Sequence, residues 1–395
     1  MSWTVRKLTA NDAQQVRQLG FEAFGVPDTP PTQPPSVDMP GWAWFGVFDS
    51  DLLAARMADR EFDSWFSGVP LPTCGIAGVT VAAEYRGQGL LTPLFTETLR
   101  HAKARGATIS GLFPTAAGIY RRFGYELITD YLAVEVRTQG LAAVPRPGTV
   151  RTRRASAADF DSVRSIYDAW ARAQNGPLTR RGSAFTATGE KFIGSFTGVT
   201  LALDETGSVC GFTSWSRGQG YGEQATIEVA DLLATTADGY RALLSALGSF
   251  VSVTPTIRID TSGDDLVRLF LPGLEWRVAR SSPYMLKVLD VSAALTALQY
   301  PPGMSVQLNF SVAGDFLTEN NRSYRLEVVD GSGRCFPVDQ ADRTFTPQGV
   351  ALLFAGAQSC ANLRSAGHLR GGNVEQDLDW DALFGGRQQH IRDYY

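Results

Sequence analysis

A three-module α+β protein built on mixed sheets is what this sequence of 395 residues predicts, on three observations. Strand-like and amphipathic helical segments alternate through the first third, the opening strand-and-capped-helix pattern returns near residue 150, and a different α+β pattern begins near residue 284. At roughly 100–200 residues per domain, the length alone asks for two or three modules. A hydrophobic content of 44% with 19% charged residues supplies a large core and excludes a disordered chain. The expected cuts give modules 1–145, 146–283 and 284–395.

Thr4 to Leu8 reads as a strand, Asn11 and Asp12 offer an N-cap, and Val16, Leu19 and Ala23 recur at helical spacing. The proline-rich run Val26 to Pro40 cannot extend that helix and is too polar for core, so a mobile loop over a cleft is expected there. Trp42 to Phe48, Leu52 to Ala58 and Gly75 to Val81 follow as β-rich segments parted by turn residues, the pattern of an antiparallel meander. The second copy starts at Thr152, with Ser156 and Asp159 ahead of Val163, Ile166 and Trp170, about 147 residues downstream. Between the copies, Gly140 to Gly148 has linker composition. A strand followed by a capped helix is common, so duplication and coincidence both fit the pattern alone. The second copy has no Gly-rich turn; its strand Thr226 to Leu233 meets Thr235-Thr236-Ala237-Asp238, which caps the helix Tyr240 to Leu247, so structure and not chemistry is expected of it. From Tyr284 the chain reads as strand then helix, then strands near Met304 to Val312 and Tyr324 to Val329, then helices at Gly349 to Phe354 and Gln358 to Ala366.

The net charge of −4 leaves no electrostatic footprint for nucleic acid or an anionic membrane. Cys74, Cys210, Cys335 and Cys360 form no CxxC pair, and His101, His368 and His390 show no metal-ligand spacing, so a metal-free site is expected. No run approaches 18 consecutive apolar residues and the start has no apolar h-region, which predicts a cytoplasmic protein with no membrane association.

Chemistry concentrates between residues 78 and 125. Gly78 to Val81 is a strand, Arg86-Gly87-Gln88-Gly89-Leu90-Leu91 a Gly-rich turn, and Leu94, Leu99 and Ala102 mark an amphipathic helix. Glycines at 87 and 89 let backbone N–H groups converge at a helix start, a cradle for a pyrophosphate such as that of coenzyme A. By itself such a turn also fits a mere tight connection. About thirty residues on, the strand Thr108 to Phe113 leads into Pro114-Thr115-Ala116-Ala117-Gly118-Ile119-Tyr120-Arg121-Arg122-Phe123-Gly124-Tyr125, a short helix ending at a glycine.

The two elements, in this order, resemble the GCN5-related N-acetyltransferase (GNAT) superfamily, with its RxxGxG/A turn and YxxxGF/Y element; the departure is Leu91, where the family has Gly or Ala. The RGQGLL turn, the GIYRRFGY string and the segments EVADLLATTADGYRALLSAL and LKVLDVSAALTAL look like the enhanced-intracellular-survival (Eis) aminoglycoside acetyltransferases along the whole chain. That resemblance implies tandem GNAT folds, the second degenerate, followed by a sterol-carrier-like domain that returns the chain end to the first cleft. It implies acetyl-CoA as co-substrate, held by Val79, Val81, Arg86, Gly87, Gln88, Gly89, Leu90 and Thr115. It further implies Tyr120 as the acid that protonates the departing thiolate, the α-carboxylate of Tyr395 as base, and a homohexamer.

Acyl transfer from a thioester to an amine needs a neutral nucleophile, stabilisation of an oxyanion and a proton for the leaving thiolate. No histidine or cysteine lies in the Gly-rich turn 86–91 or in the element 114–125, so direct attack in a ternary complex is favoured over a covalent intermediate. Tyr120 could instead be a packing aromatic, and the chain end could be frayed. Phe24, Asp28, Trp42 and Trp44 are candidates for an aromatic and acidic wall facing a small-molecule polyamine. Where the family has an acidic residue two positions after the phenylalanine, this chain has Val26. A protein or peptide lysine acetyltransferase and a lipid carrier with a vestigial GNAT domain are the competing readings.

Overall fold

The computed structural model describes residues 3–28, 36–263, 265–273 and 275–395. Its first elements are β1 (Thr4–Lys7), α1 (Ala13–Phe24), β2 (Trp42–Asp49), β3 (Leu52–Phe66), β4 (Val69–Val81), α2 (Leu91–Ala104), β5 (Ile109–Leu112), α3 (Ala117–Arg121), β6 (Glu126–Arg137) and α4 (Thr138–Ala142). The second copy supplies β7 (Arg151–Arg154), α5 (Phe160–Ala171), α6 (Gly189–Gly194), β8 (Gly198–Leu203), β9 (Val209–Arg217), β10 (Thr226–Ala234), α7 (Ala237–Gly248), β11 (Thr256–Thr261) and β12 (Arg277–Val288). The remainder is α8 (Val291–Ala297), β13 (Val306–Val312), β14 (Ser323–Val329), β15 (Ser332–Val338), β16 (Arg343–Phe345), α9 (Pro347–Ala355), α10 (Cys360–Ser365), β17 (Leu369–Gly371) and α11 (Asp377–Phe384). The expected loop Val26 to Pro40 falls in part outside the described residues, at 29–35.

The opening unit recurs at the expected spacing, down to its side chains. A 3-10 turn, Ala10–Asp12 in one copy and Ala157–Asp159 in the other, precedes each helix, with Thr9 and Ser156 forming the capping boxes. Arg6 grips Asp12 through two bonds of 2.8 and 2.7 Å, and Arg153 grips Asp159 at 2.9 and 2.7 Å. That paired hydrogen bonding from Arg6 pulls the Asp12 carboxyl down to about 2, and Arg153 lowers Asp159 in the same way.

The two copies share one sheet of twelve strands among the described residues, in the order β1-β2-β3-β4-β5-β12-β6-β11-β10-β9-β8-β7. β12 inserts between β5 and β6, while β6 pairs with β11 of the second copy, so each copy is closed by a strand from elsewhere in the chain. β12 also runs unbroken through residues 283 and 284 and pairs antiparallel with β5 from Met285 to Val288. Strands β3 and β4 are longer than the sequence pattern suggests, because their N- and C-terminal extensions pair with each other out to Phe66 and Val69. The last module packs a five-stranded sheet, β15-β14-β13-β16-β17, around Phe310, Phe345, Trp380 and Phe384. These side chains fill its interior, leaving a cavity of about 10 Å³.

The modules are joined by a buried ion pair. Lys287 on β12, wholly inaccessible, donates to Asp315 at 2.5 Å, and Asp315 also accepts from Leu317 N and Asn320 Nδ2. Removing only the lysine would leave a buried carboxylate uncompensated, a loss of about 3–5 kcal/mol. Lys287→Met should therefore lower the urea midpoint sharply, whereas Lys103→Met, at the half-exposed pair with Glu319, should cost less than about 1 kcal/mol.

Candidate active site

β4 and β5 run parallel for three residue pairs, Thr73 with Ile109, Cys74 with Ser110 and Gly75 with Gly111, and then part. Past that point β4 continues to Val81 alongside β3, whereas β5 ends at Leu112. The wedge opens into a groove of about 650 Å³. Of the residues expected to hold the cofactor, Val79, Val81, Arg86, Gly87, Gly89, Leu90 and Thr115 line it; so do Tyr120 and Phe24. Gln88 does not, because its side chain turns back to donate to the Glu84 carbonyl at 2.9 Å.

At one end of the groove, α2 starts without a side-chain cap; Thr92 N already bonds the Gly89 carbonyl at 3.1 Å and Pro93 has no N–H, so the groups left for an anion are the turn amides of Gly87 to Leu90, which have no acceptor among the described residues. Gly87 and Gly89 sit at φ of +78° and +80°, and a Cβ built on either meets nothing within 4 Å, so the turn both needs glycine and leaves room beside it. Arg86 and Arg122 border the same space, and neither forms an ion pair among the described residues. The start of α7 in the second copy is closed instead: Thr236 Oγ1 accepts from Gly239 N at 3.0 Å and Asp238 occupies the first turn. The residues present therefore fit a pyrophosphate in the first copy and exclude one in the second.

Midway along the groove β4 carries a bulge. Arg56 pairs with Thr80 but Ala58 with Ala77, and Gly78 takes φ +59° beneath the Trp44 ring, where a Cβ would lie 2.7 Å from that ring. A bulge leaves strand backbone unpaired, which frees amide groups beside Val79 for a polar atom in the groove.

Two tyrosines reach the wedge from opposite faces of the sheet. Side chains alternate along β4 and β5, placing Cys74, Ile76 and Leu112 on the face covered by α2, and Gly75 and Gly111 on the other. Tyr120 comes from the α2 face, packed edge-on against Phe95 and 5% exposed. Burial raises its phenol above the ordinary 10.0, a hydrogen bond with Thr115 partly offsetting the effect. Tyr395 comes from the other face. Its ring lies against Phe62 and Phe113, and its hydroxyl is 3.0 Å from that of Tyr284 on β12. Gly75 and Gly111 make this slot: a Cβ on Gly75 would come within 2.8 Å of the Tyr395 ring, and one on Gly111 would collide with the Tyr284 hydroxyl.

The chain end is held along its length. Asn175 N donates to the Gln388 carbonyl at 2.9 Å, and His390 N donates to the Asn175 carbonyl at 2.8 Å. Arg392 donates to Asp265 at 2.9 Å, and Asp393 accepts from Arg180, also at 2.9 Å. The expected substrate wall is arranged differently from its expectation. Trp42 and Trp44 stack on each other at 5.8 Å, but the guanidinium of Arg60 lies over the first ring and that of Arg56 over the second, so the chain's own cations occupy the faces a polyamine would use. Asp28 and Val26 are exposed, and neither lines the groove.

Sequence reading missed Gly75, Gly111, Tyr284 and Arg122. Single glycines inside β-rich segments signal a close approach by another group and could have exposed the first two. Nothing local marks Tyr284, whose partner lies 111 positions away.

Residues 4–128 and 176–288 each match the acetyltransferase (GNAT) domain family, and residues 291–392 match the sterol carrier protein domain family. An uncharacterized N-acetyltransferase of Streptomyces avermitilis is 28% identical, over 82% of this chain and 81% of its own length. N-acetyltransferase Eis of Mycobacterium tuberculosis is 26% identical over 80% of this chain and 79% of its own. Among solved structures, a GCN5-related N-acetyltransferase from Kribbella flavida superposes with a TM-score of 0.84 at 25% identity, covering 100% of this chain and 98% of its own. Eis1 from Mycobacterium abscessus shares the fold at a TM-score of 0.77 and 21% identity, with 100% of both chains covered.

The tyrosine slot can be tested without reference to activity. Gly111→Ala should push Tyr284 and Tyr395 apart and release the chain end, so carboxypeptidase A should remove Tyr395 at least tenfold faster than from the parent protein.

Proposed function

This chain belongs to the Eis-like GNAT N-acetyltransferases, and from that premise we propose that it acetylates a primary amine of a small molecule, with acetyl-CoA held along the β4–β5 groove. The observation that carries the reading is one continuous groove with an uncapped helix start and two positive-φ glycines at one end and a buried tyrosine at the other. In it the amides of the Gly87–Leu90 turn at the start of α2, with Arg86 and Arg122, bind the pyrophosphate, and the backbone beside Val79 and Val81 takes the pantetheine arm. An amide freed at the Gly78 bulge polarises the acetyl carbonyl.

The amine approaches from the Tyr395 face. The terminal carboxylate, an ionised group at neutral pH, holds the ammonium and accepts its proton, so that the neutral amine attacks the carbonyl carbon. The C–N bond forms as the C–S bond breaks, and Tyr120 gives its proton to the thiolate from the opposite face. Polyamines of the aminoglycoside type are the first acceptors to assay, with lysine peptides as the contrast, and a homohexamer is the assembly to look for. Against a lipid-carrying role stands the filled interior of the last module, since ligand cavities run to hundreds of Å³.

Three measurements test this reading. Tyr120→Phe should lower kcat about 100-fold or more with the KM for acetyl-CoA little changed, because the phenol acts on the leaving group and not on cofactor binding. A general acid must be protonated, and burial holds Tyr120 above its ordinary 10.0, so the kcat–pH profile should show no falling limb from this group below pH 10. Gly89→Ala, strained at φ +80°, should weaken acetyl-CoA binding at least tenfold by calorimetry while the unfolding temperature stays within a few degrees. Should Gly89→Ala bind like the parent, the pyrophosphate cradle is misplaced.

A further inference from the structure

On the Tyr395 face the sheet carries two guanidinium groups without a counter-ion. Trp42 on β2, Arg60 on β3 and Gly75 on β4 lie opposite one another in register, so their side-chain positions share a face. The Tyr395 ring seats on that face, since a Cβ on Gly75 would come within 2.8 Å of it. Arg60 therefore stands one strand from the last residue pair before β4 and β5 part. Its guanidinium lies 5.2 Å from the Phe185 ring, 5.3 Å from Trp42 and 5.7 Å from Tyr395. Arg56, buried beside it over Trp44, bonds Thr80 Oγ1 at 3.1 Å.

Neither cation forms an ion pair among the described residues, and residues 29–35 hold no ionisable side chain. The acids nearby are engaged elsewhere. Asp59 points to the α2 face, where it holds Arg105 and His101. In the second copy β10 and β11 part after Val229 and Ile259, with a bulge before Asp231, and in that opening Arg180 bonds Asp231 and Asp393, both at 2.9 Å. Burial pulls the Arg56 guanidinium down to about 10, and at Arg60 it outweighs the opposing influence of Tyr395 and Asp393. A charge withdrawn from water without a counter-ion is costly, and an anion from outside the chain relieves that cost.

Arg60 is the group a ligand can reach. It is half-buried, as are Trp42, Phe185 and Tyr395 around it, whereas Arg56 is 6% exposed. The enclosed atom of Arg60 is Nε; the two Nη groups, also without acceptors among the described residues, keep the accessible surface. Rings lie over the faces of the planar cation, and its Nη edge is left, the edge that forks a carboxylate.

We propose that the acceptor carries a carboxylate as well as its amine, and that Arg60 selects it by binding that carboxylate through the Nη groups. The substrate class is then the amino acids and related amino-carboxylates. This rests on the transferase reading above and narrows its acceptor. The ammonium goes to the terminal carboxylate and the carboxylate to Arg60, so each charge of the acceptor meets its opposite on one face. A polycation instead meets Arg56 and Arg60 as like charges.

Three pairs of probes differ by that carboxylate alone: L-phenylalanine and 2-phenylethylamine, L-lysine and 1,5-diaminopentane, 4-aminobutyrate and propylamine. In at least one pair the parent protein should favour the carboxylate member at least tenfold, both in kcat/KM and in affinity by calorimetry with coenzyme A present. Arg60→Gln should raise KM and the dissociation constant for that member at least tenfold and erase the preference, and Arg60→Lys, charged but unable to fork, should keep part of it. Acetyl-CoA binding and the resistance of Tyr395 to carboxypeptidase A should match the parent in both variants, which separates a lost carboxylate contact from a displaced chain end. Bare amines bound and acetylated as well as their partners in all three pairs overturn the inference and leave the transferase reading standing. A preference that survives Arg60→Gln overturns the role of Arg60. A carboxylate preference in binding that Arg60→Gln erases, with no acetyl transfer to any probe, supports the carboxylate site and overturns the transferase reading instead.

Discussion

Two parallel strands can share hydrogen bonds only while they keep register, and the site depends on where β4 and β5 stop doing so. After Gly75 and Gly111 the backbone of β4 has no neighbour on that side, and the space between the strands becomes the groove. The same two glycines let an aromatic ring settle at the apex of the wedge. A side chain at either position would remove the slot and push Tyr395 away from the point where the strands separate. Absence of a Cβ thus matters here for close approach and not for turning the chain, since neither residue has a positive φ.

The duplication explains why such a wedge occurs twice and why the two differ. Both copies start from the same Arg–Asp clamp and capping box, and both carry a bulge on the strand that borders the opening. They diverge at the helix that follows. In the first copy the amides of the Gly-rich turn, Gly87 to Leu90, stay without acceptors among the described residues, and in the second Thr236 caps the helix start and Asp238 shields it. A cap helps decide whether the end of a β-strand faces an anion site, because unpaired N–H groups and the positive end of the helix dipole act together there.

Much of this was legible in the sequence. The order Gly87, Gly89, Tyr120 marked the groove, and the repeat at Thr152 marked the strand and helix of the second copy, though not the 3-10 turn between them. What was not legible depends on distant partners. Strand exchange between the copies puts β12 beside β5, so a segment that reads locally as the start of the third module supplies Tyr284 to the first. Trp42 and Trp44 read as a wall for a cationic substrate because nothing local reveals that Arg56 and Arg60, on the neighbouring strand, lie over the rings. Gln88 sits inside a recognisable motif, yet a bond to Glu84 turns its side chain out of the groove.

The exchange of strands also bears on how the segment from Gln388 to Tyr395 is held. Termini fray unless something holds them. Here the last eight residues are tied by Asn175, Arg180 and Asp265 from the second copy, and the final ring by Phe62 and Phe113 from the first and Tyr284 from β12. Both copies must be assembled before the tail has a seat, and the last module must be in place before the tail can reach it. The buried Lys287–Asp315 pair fixes that module to β12, one residue pair from the β5 segment that carries Gly111. Loosening any of the three modules therefore reaches the wedge through the tail, even though the β4–β5 groove is lined by the first copy alone.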